Sequence, residues 1–144
     1  MEHCLTERSS SSPEETEALG QSLARHLEPG MVIALQGSLG AGKTCLVKGI
    51  ACGLGIAENI TSPTYTIISE YPGKVPLYHI DAYRLNSDDD FESTGAGEYI
   101  GERGVTIIEW PDRIPLSIPH DAITIQIEIT GPQSRIFRIK GMDL

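Results

Sequence analysis

The segment Gly37-Ser38-Leu39-Gly40-Ala41-Gly42-Lys43-Thr44 is a complete G-x-x-x-x-G-K-[ST] pattern. Glycines at this spacing let successive backbone N–H groups curl around phosphate oxygens, the Lys43 ammonium places a point charge on the outer phosphates, and the Thr44 hydroxyl is a ligand for Mg²⁺. The chemistry is nucleoside triphosphate binding, with the eight loop residues and the adjoining Cys45 as the cradle. Mg²⁺ is better held by more than one oxygen donor, so a second acid is expected at the end of a neighbouring strand. Two qualify: Asp81, after Leu77-Tyr78-His79-Ile80, and Glu109, after Val105-Thr106-Ile107-Ile108. Thr64, within Thr61-Ser62-Pro63-Thr64-Tyr65, is placed to sense a terminal phosphate; the same loop also reads as a proline-fixed turn whose hydroxyls cap backbone groups. His79 and Arg84 flank Asp81, where they could position water and neutralise phosphoryl charge or form a local salt bridge. Trp110, the only tryptophan, could stack on a base or fill core.

Regular elements must hold these groups in place. Met31-Val32-Ile33-Ala34-Leu35 is an apolar strand leading into the loop, and Leu46, Val47, Ile50 and Leu54 share one face of the helix that leaves it. Upstream, Ser12-Pro13-Glu14-Glu15 offers an N-cap serine, a proline at the first helical position and a capping-box glutamate. Leu19, Leu23 and Leu27 continue that helix, Arg25 and His26 suit its negative end, and Gly30 can end it. Thr64 to Tyr71 and Val75 to Ile80 read as a hairpin around Pro72-Gly73-Lys74. Ser87-Asp88-Asp89-Asp90 opens a short helix ending near Gly101, Val105–Ile108 is a short buried strand, and Ala122–Ile129 with Ile136–Lys140 read as a closing antiparallel pair. The expectation is an α/β fold of phosphate-loop NTPase type: a mixed sheet flanked by helices with a C-terminal antiparallel strand pair. Residues 1–11 read as a flexible arm and 12–144 as a single domain.

The 144 residues carry a formal charge of −9, so no broad basic face is expected and free-standing affinity for nucleic acid would lack its main electrostatic term. No run of about 18 apolar residues and no secretory leader is present, which predicts a cytoplasmic protein without a membrane role. Cys45 and Cys52 share a helix roughly 10 Å apart, beyond disulfide reach.

Taken in order, G-S-L-G-A-G-K-T, T-S-P-T-Y-T, Y-H-I-D-A-Y-R-L and I-I-E-W-P resemble the TsaE (YjeE) family across residues 12 to 140. Those proteins are bacterial P-loop ATPases acting with TsaB and TsaD to form threonylcarbamoyladenosine on tRNA beside the anticodon. The resemblance implies that Gly37 to Thr44 hold ATP or ADP, that Thr44 and Glu109 lie near Mg²⁺, and that Thr61 to Tyr65 form a switch-like loop. It further implies that Asp81 is the catalytic or Mg²⁺-organising acid and that Trp110 belongs to the nucleotide pocket. Ser12 to Thr16 would lie near the nucleotide, and Arg135 occupies a family-like position on the last hairpin. Ser93-Thr94 depart from the pattern, standing where bulkier apolar residues are usual. The implied activity is a weak ATPase, monomeric or weakly associating alone, coupled to TsaB and TsaD and meeting tRNA only through them.

The alternative is a P-loop small-molecule kinase, but this would need an acceptor pocket and a lid with several arginines, and the arginines here are dispersed. A guanine-reading Asn-Lys-x-Asp motif is absent, since Asn59 and Asn86 are not followed by lysine.

Overall fold

The computed structural model describes residues 5–38, 41–57, 60, 67–101 and 103–142. Seven strands form one sheet: β1 (Thr6–Ser10), β2 (Val32–Gln36), β3 (Ile68–Tyr71), β4 (Leu77–Asp81), β5 (Val105–Glu109), β6 (Ile123–Ile129) and β7 (Arg135–Lys140). Helices α1 (Pro13–Ala24), α2 (Lys43–Gly53) and α3 (Asp88–Thr94) connect them, with 3-10 turns at Ala96–Tyr99, Pro111–Arg113 and Pro115–Ser117. The spatial order is β1-β7-β6-β2-β5-β4-β3. The central β6, β2, β5 and β4 run parallel, while β3 pairs antiparallel with β4, β7 with β6, and β1 with β7.

Parallel strands covered on both faces read as apolar runs, and β5 is buried along its whole length. Alternate side chains go to opposite layers. Ile33, Leu35, Ile107, Ile125 and Phe137 join Leu23, Leu46, Val47 and Ile50 under α1 and α2. Val32, Ile80 and Ile108 face the other way, against Phe91, Ala96 and Ile114.

Helix α1 begins as the cap signals predict: Ser12 Oγ accepts from the Glu15 N–H at 3.1 Å, and Glu15 Oε1 accepts from the Ser11 N–H at 2.7 Å. It lies very close to α2, because Gly20 and Gly49 remove the side chains at the crossing. A Cβ on Gly20 would stand 2.5 Å from the Leu46 carbonyl oxygen and 2.8 Å from the Ile50 nitrogen. Gly49 abuts the Glu17 backbone and Gly53 the Gln21 backbone, so the two helices run in parallel register. That register carries the Ser12–Thr16 end of α1 alongside the start of α2.

Three expectations are corrected. Residues 6–10 of the expected flexible arm are strand β1, paired from Thr6↔Ile139 to Ser10↔Arg135. Helix α1 stops at Ala24 rather than running toward Gly30. The segment after Asn86 is a seven-residue helix followed by a 3-10 turn, divided at Gly95 with φ 76°. Thr94 closes α3 by donating to the Phe91 carbonyl at 2.6 Å and accepting from the Ala96 N–H at 3.1 Å, which suits a hydroxyl where an apolar residue was expected. The β6–β7 pair is antiparallel as expected, and β6 also joins the parallel centre through β2.

Candidate functional site

Strand β2 ends at Gln36, β4 at Asp81 and β5 at Glu109, and α2 begins at Lys43, so the chemistry-bearing residues gather beyond the carboxyl ends of three parallel strands. Crevices at that edge are where open α/β sheets bind ligands. Gly42 is the N-cap of α2 with φ 96°, a left-handed conformation that suits glycine, and no side chain caps the helix there. The first N–H groups of α2 are therefore not claimed by a capping side chain and favour an anion. The loop is braced from the far hairpin, where Arg135 Nε donates to the Ala41 carbonyl at 2.9 Å and its Nη1 donates to the Gly131 and Ser134 carbonyls. Leu39 and Gly40 lie outside the described residues, as does the whole Thr61–Tyr65 loop with Thr64.

Lys43 is 7% exposed and sits at the centre of the site. Its Nζ donates to the Gly37 carbonyl at 2.9 Å, lies 3.6 Å from Glu109 Oε1, and stands 4.3 Å from the Trp110 ring centroid. Trp110 reaches that position through a left-handed backbone, φ 58° and ψ 51°, which is costly for a bulky residue and disfavoured before Pro111. The indole thus lies against the Lys43 ammonium. Tyr83, which the sequence did not single out, extends this surface: its ring is 4.8 Å from that of Trp110, and the Arg113 guanidinium lies 5.5 Å from the Tyr83 ring centroid. An exposed aromatic four residues beyond a buried histidine carries no sequence signal that it meets Trp110.

Of the two strand-end acids, Glu109 is buried and Asp81 half-buried, and they are register partners on adjacent strands. Glu109 Oε2 is hydrogen-bonded to His79 Nε2. Burial pushes the Glu109 carboxyl up, but the His79 hydrogen bond and the electrostatic pull of His79 and Lys43 more than offset it and hold the group below its ordinary value. Asp81 Oδ1 instead accepts from the Tyr83 N–H at 3.0 Å, forming a local turn. His79 therefore serves Glu109 rather than its sequence neighbour Asp81. The oxygen donors Thr44, Glu109 and Asp81 are hard ligands of the kind Mg²⁺ takes. Among the described residues no three His, Cys, Asp or Glu side chains form a metal cage, and Mg²⁺ beside a nucleotide draws its remaining ligands from phosphate and water.

Ser12 and Thr16 come near this edge through the parallel α1–α2 packing, although Ser12 Oγ is engaged at the helix cap and Thr16 Oγ1 shares a buried 2.7 Å hydrogen bond with Ser10 Oγ. Cys45 is half-buried in the first turn of α2.

Comparison with known proteins finds relatives over most of the chain. The family model described as threonylcarbamoyl adenosine biosynthesis protein TsaE matches residues 10–137. A relative from Treponema pallidum, named tRNA threonylcarbamoyladenosine biosynthesis protein TsaE, is 46% identical over 126 residues, covering 88% of this chain and 93% of its own. One of the same name from Bacillus subtilis is 44% identical over 125 residues, covering 86% and 78%. The crystal structure of Bacillus subtilis YdiB superposes with a TM-score of 0.80 at 36% identity, over 97% of this chain and 87% of that one.

Proposed function

The chain belongs to the TsaE family, with a P-loop nucleotide-binding fold, and from that premise we propose that it is an ATP-binding and ATP-hydrolysing accessory protein of tRNA threonylcarbamoyladenosine formation. The observation that carries this reading is the convergence of Lys43, Glu109 and Trp110 at the mouth of the phosphate loop. In this reading the triphosphate docks on the α2 N–H groups, and Lys43 exchanges the Gly37 carbonyl and Glu109 for phosphate oxygens. Thr44, Glu109 and Asp81 would hold Mg²⁺, which when bound neutralises charge on the phosphates. Asp81 organises the attacking water, Trp110 shields the terminal phosphate from bulk solvent, and Thr64 reports that phosphate's loss. Water bonds to the terminal phosphorus as its bond to the bridging oxygen breaks, giving ADP and inorganic phosphate.

The partners in this reading are TsaB and TsaD homologues, whose affinity for this chain changes with its nucleotide state. The charge of −9 supports leaving tRNA to those partners. Among the described residues no helix is long and apolar enough to cross a membrane. The test is Mg-ATP binding and hydrolysis by the wild type and Lys43→Ala. The variant should remain folded and lose most nucleotide affinity, whereas wild-type binding by it would remove the reading. Terminal phosphate released as inorganic phosphate, rather than found on a small acceptor, separates it from a kinase.

A further inference from the structure

His79 has no exposed side-chain surface, and on the sheet it lies between Ile107 of β5 and Ser69 of β3. Leu77 and Ile107, on the same face, belong to the apolar layer under α1 and α2. A position with only a packing duty would hold another aliphatic side chain. Instead an imidazole is buried with its Nδ1 unpaired among the described residues, a costly arrangement that calls for a reason. Its one polar return is the bond from Nε2 to Glu109 Oε2. The other Glu109 oxygen faces Lys43, at 3.6 Å an ion pair rather than a hydrogen bond. Lys43 is also the group that leaves for phosphate in the proposed function, which makes His79 the partner that stays.

We propose that His79 is a positioning residue: its Nε2–H holds the Glu109 carboxylate in the one orientation that directs Oε1 to the mouth of the phosphate loop, where Mg²⁺ binds. This rests on the Mg-nucleotide reading and assigns a further residue to it. Partners behind a metal ligand are commonly worth 10- to 100-fold in metal affinity.

The test uses the full chain and a fluorescent ADP analogue, titrated in EDTA and then with Mg²⁺. His79→Leu should keep the EDTA affinity within about twofold and need about 10- to 100-fold more Mg²⁺ to reach the tight state. His79→Gln, whose amide N–H reaches the Nε2 position, should recover most of that loss, while His79→Asn, which reaches only the Nδ1 position, should not. In a Glu109→Gln background, His79→Leu should add no further loss. The role is overturned by an unchanged Mg²⁺ requirement, by Gln and Asn behaving alike, by full additivity with Glu109→Gln, or by equal loss in EDTA, which marks damage to the fold. Should the Leu variant fail to fold, the Gln–Asn pair decides. A wild type whose nucleotide affinity ignores Mg²⁺ overturns the underlying reading and this role with it; a wild type that requires Mg²⁺, with His79→Leu indistinguishable from it, overturns the role of His79 alone.

Discussion

Replacing Gly20 by alanine sets two opposed effects against each other at the contact that positions α1 beside the phosphate loop. Alanine is the better helix former by about 1 kcal/mol, so propensity alone predicts a gain. The added Cβ would stand 2.5, 2.8 and 2.9 Å from the Leu46 oxygen, the Ile50 nitrogen and the Gly49 carbon, and all three are backbone atoms. No side chain can swing aside, so α1 must move as a body by about 0.5–1 Å, and overpacking of this kind costs about 3 kcal/mol at the upper end of its usual range. The net is a loss of about 2 kcal/mol, a fall in Tm of about 5–8 °C for a chain of this size. Ser22→Ala, on the exposed face of the same helix, makes no such contact and should leave Tm unchanged or slightly raised. Thermal unfolding followed by circular dichroism measures both. Gly20→Ala melting at or above the wild type would refute the close crossing, and with it the placement of Ser12 and Thr16 beside the start of α2.

Three further outcomes are expected. Mg-ATP should change the fluorescence of Trp110, since Lys43 leaves the indole face for phosphate; a silent signal on saturation would return that residue to a packing role. Glu109, held below the ordinary carboxylate value, binds protons more readily in the unfolded chain, so its stabilisation is complete above about pH 4.3 and is lost as the pH falls through its folded value. Urea midpoints without nucleotide should therefore fall less steeply below that pH in Glu109→Gln than in the wild type, and parallel slopes would contradict the pairing. Arg135→Ala removes the tie to the Ala41 carbonyl and should weaken nucleotide binding by about tenfold, as loss of a charge-assisted hydrogen bond would, with a small change in Tm; unchanged affinity in a nucleotide titration would show the loop needs no brace.

What the sequence shows is what local chemistry dictates. The phosphate loop, the Ser12 cap, the β3–β4 hairpin and the two strand-end acids are each encoded within a few residues, and the structure places the two acids and the start of α2 at one edge of the sheet. What it hides depends on partners far along the chain. Thr6–Ser10 is polar and serine-rich, and becomes a strand because β7 pairs with it from the other terminus. Arg135 reaches Ala41 across 94 positions. His79 stands two residues before Asp81 in sequence, but the β4–β5 pairing gives it to Glu109. The left-handed turn at Trp110 contradicts the local preference before proline, so only the surrounding packing holds the indole over Lys43.

The most direct test of the central claim is reconstituted tRNA modification over many turnovers, using the TsaB–TsaD pair and the enzyme that supplies the threonylcarbamoyl donor. Three arms suffice: no addition, this protein, and Lys43→Ala. Stimulation by the wild type and none by the variant is the predicted result; no stimulation by the wild type with matched partners, or equal stimulation by both, would contradict it.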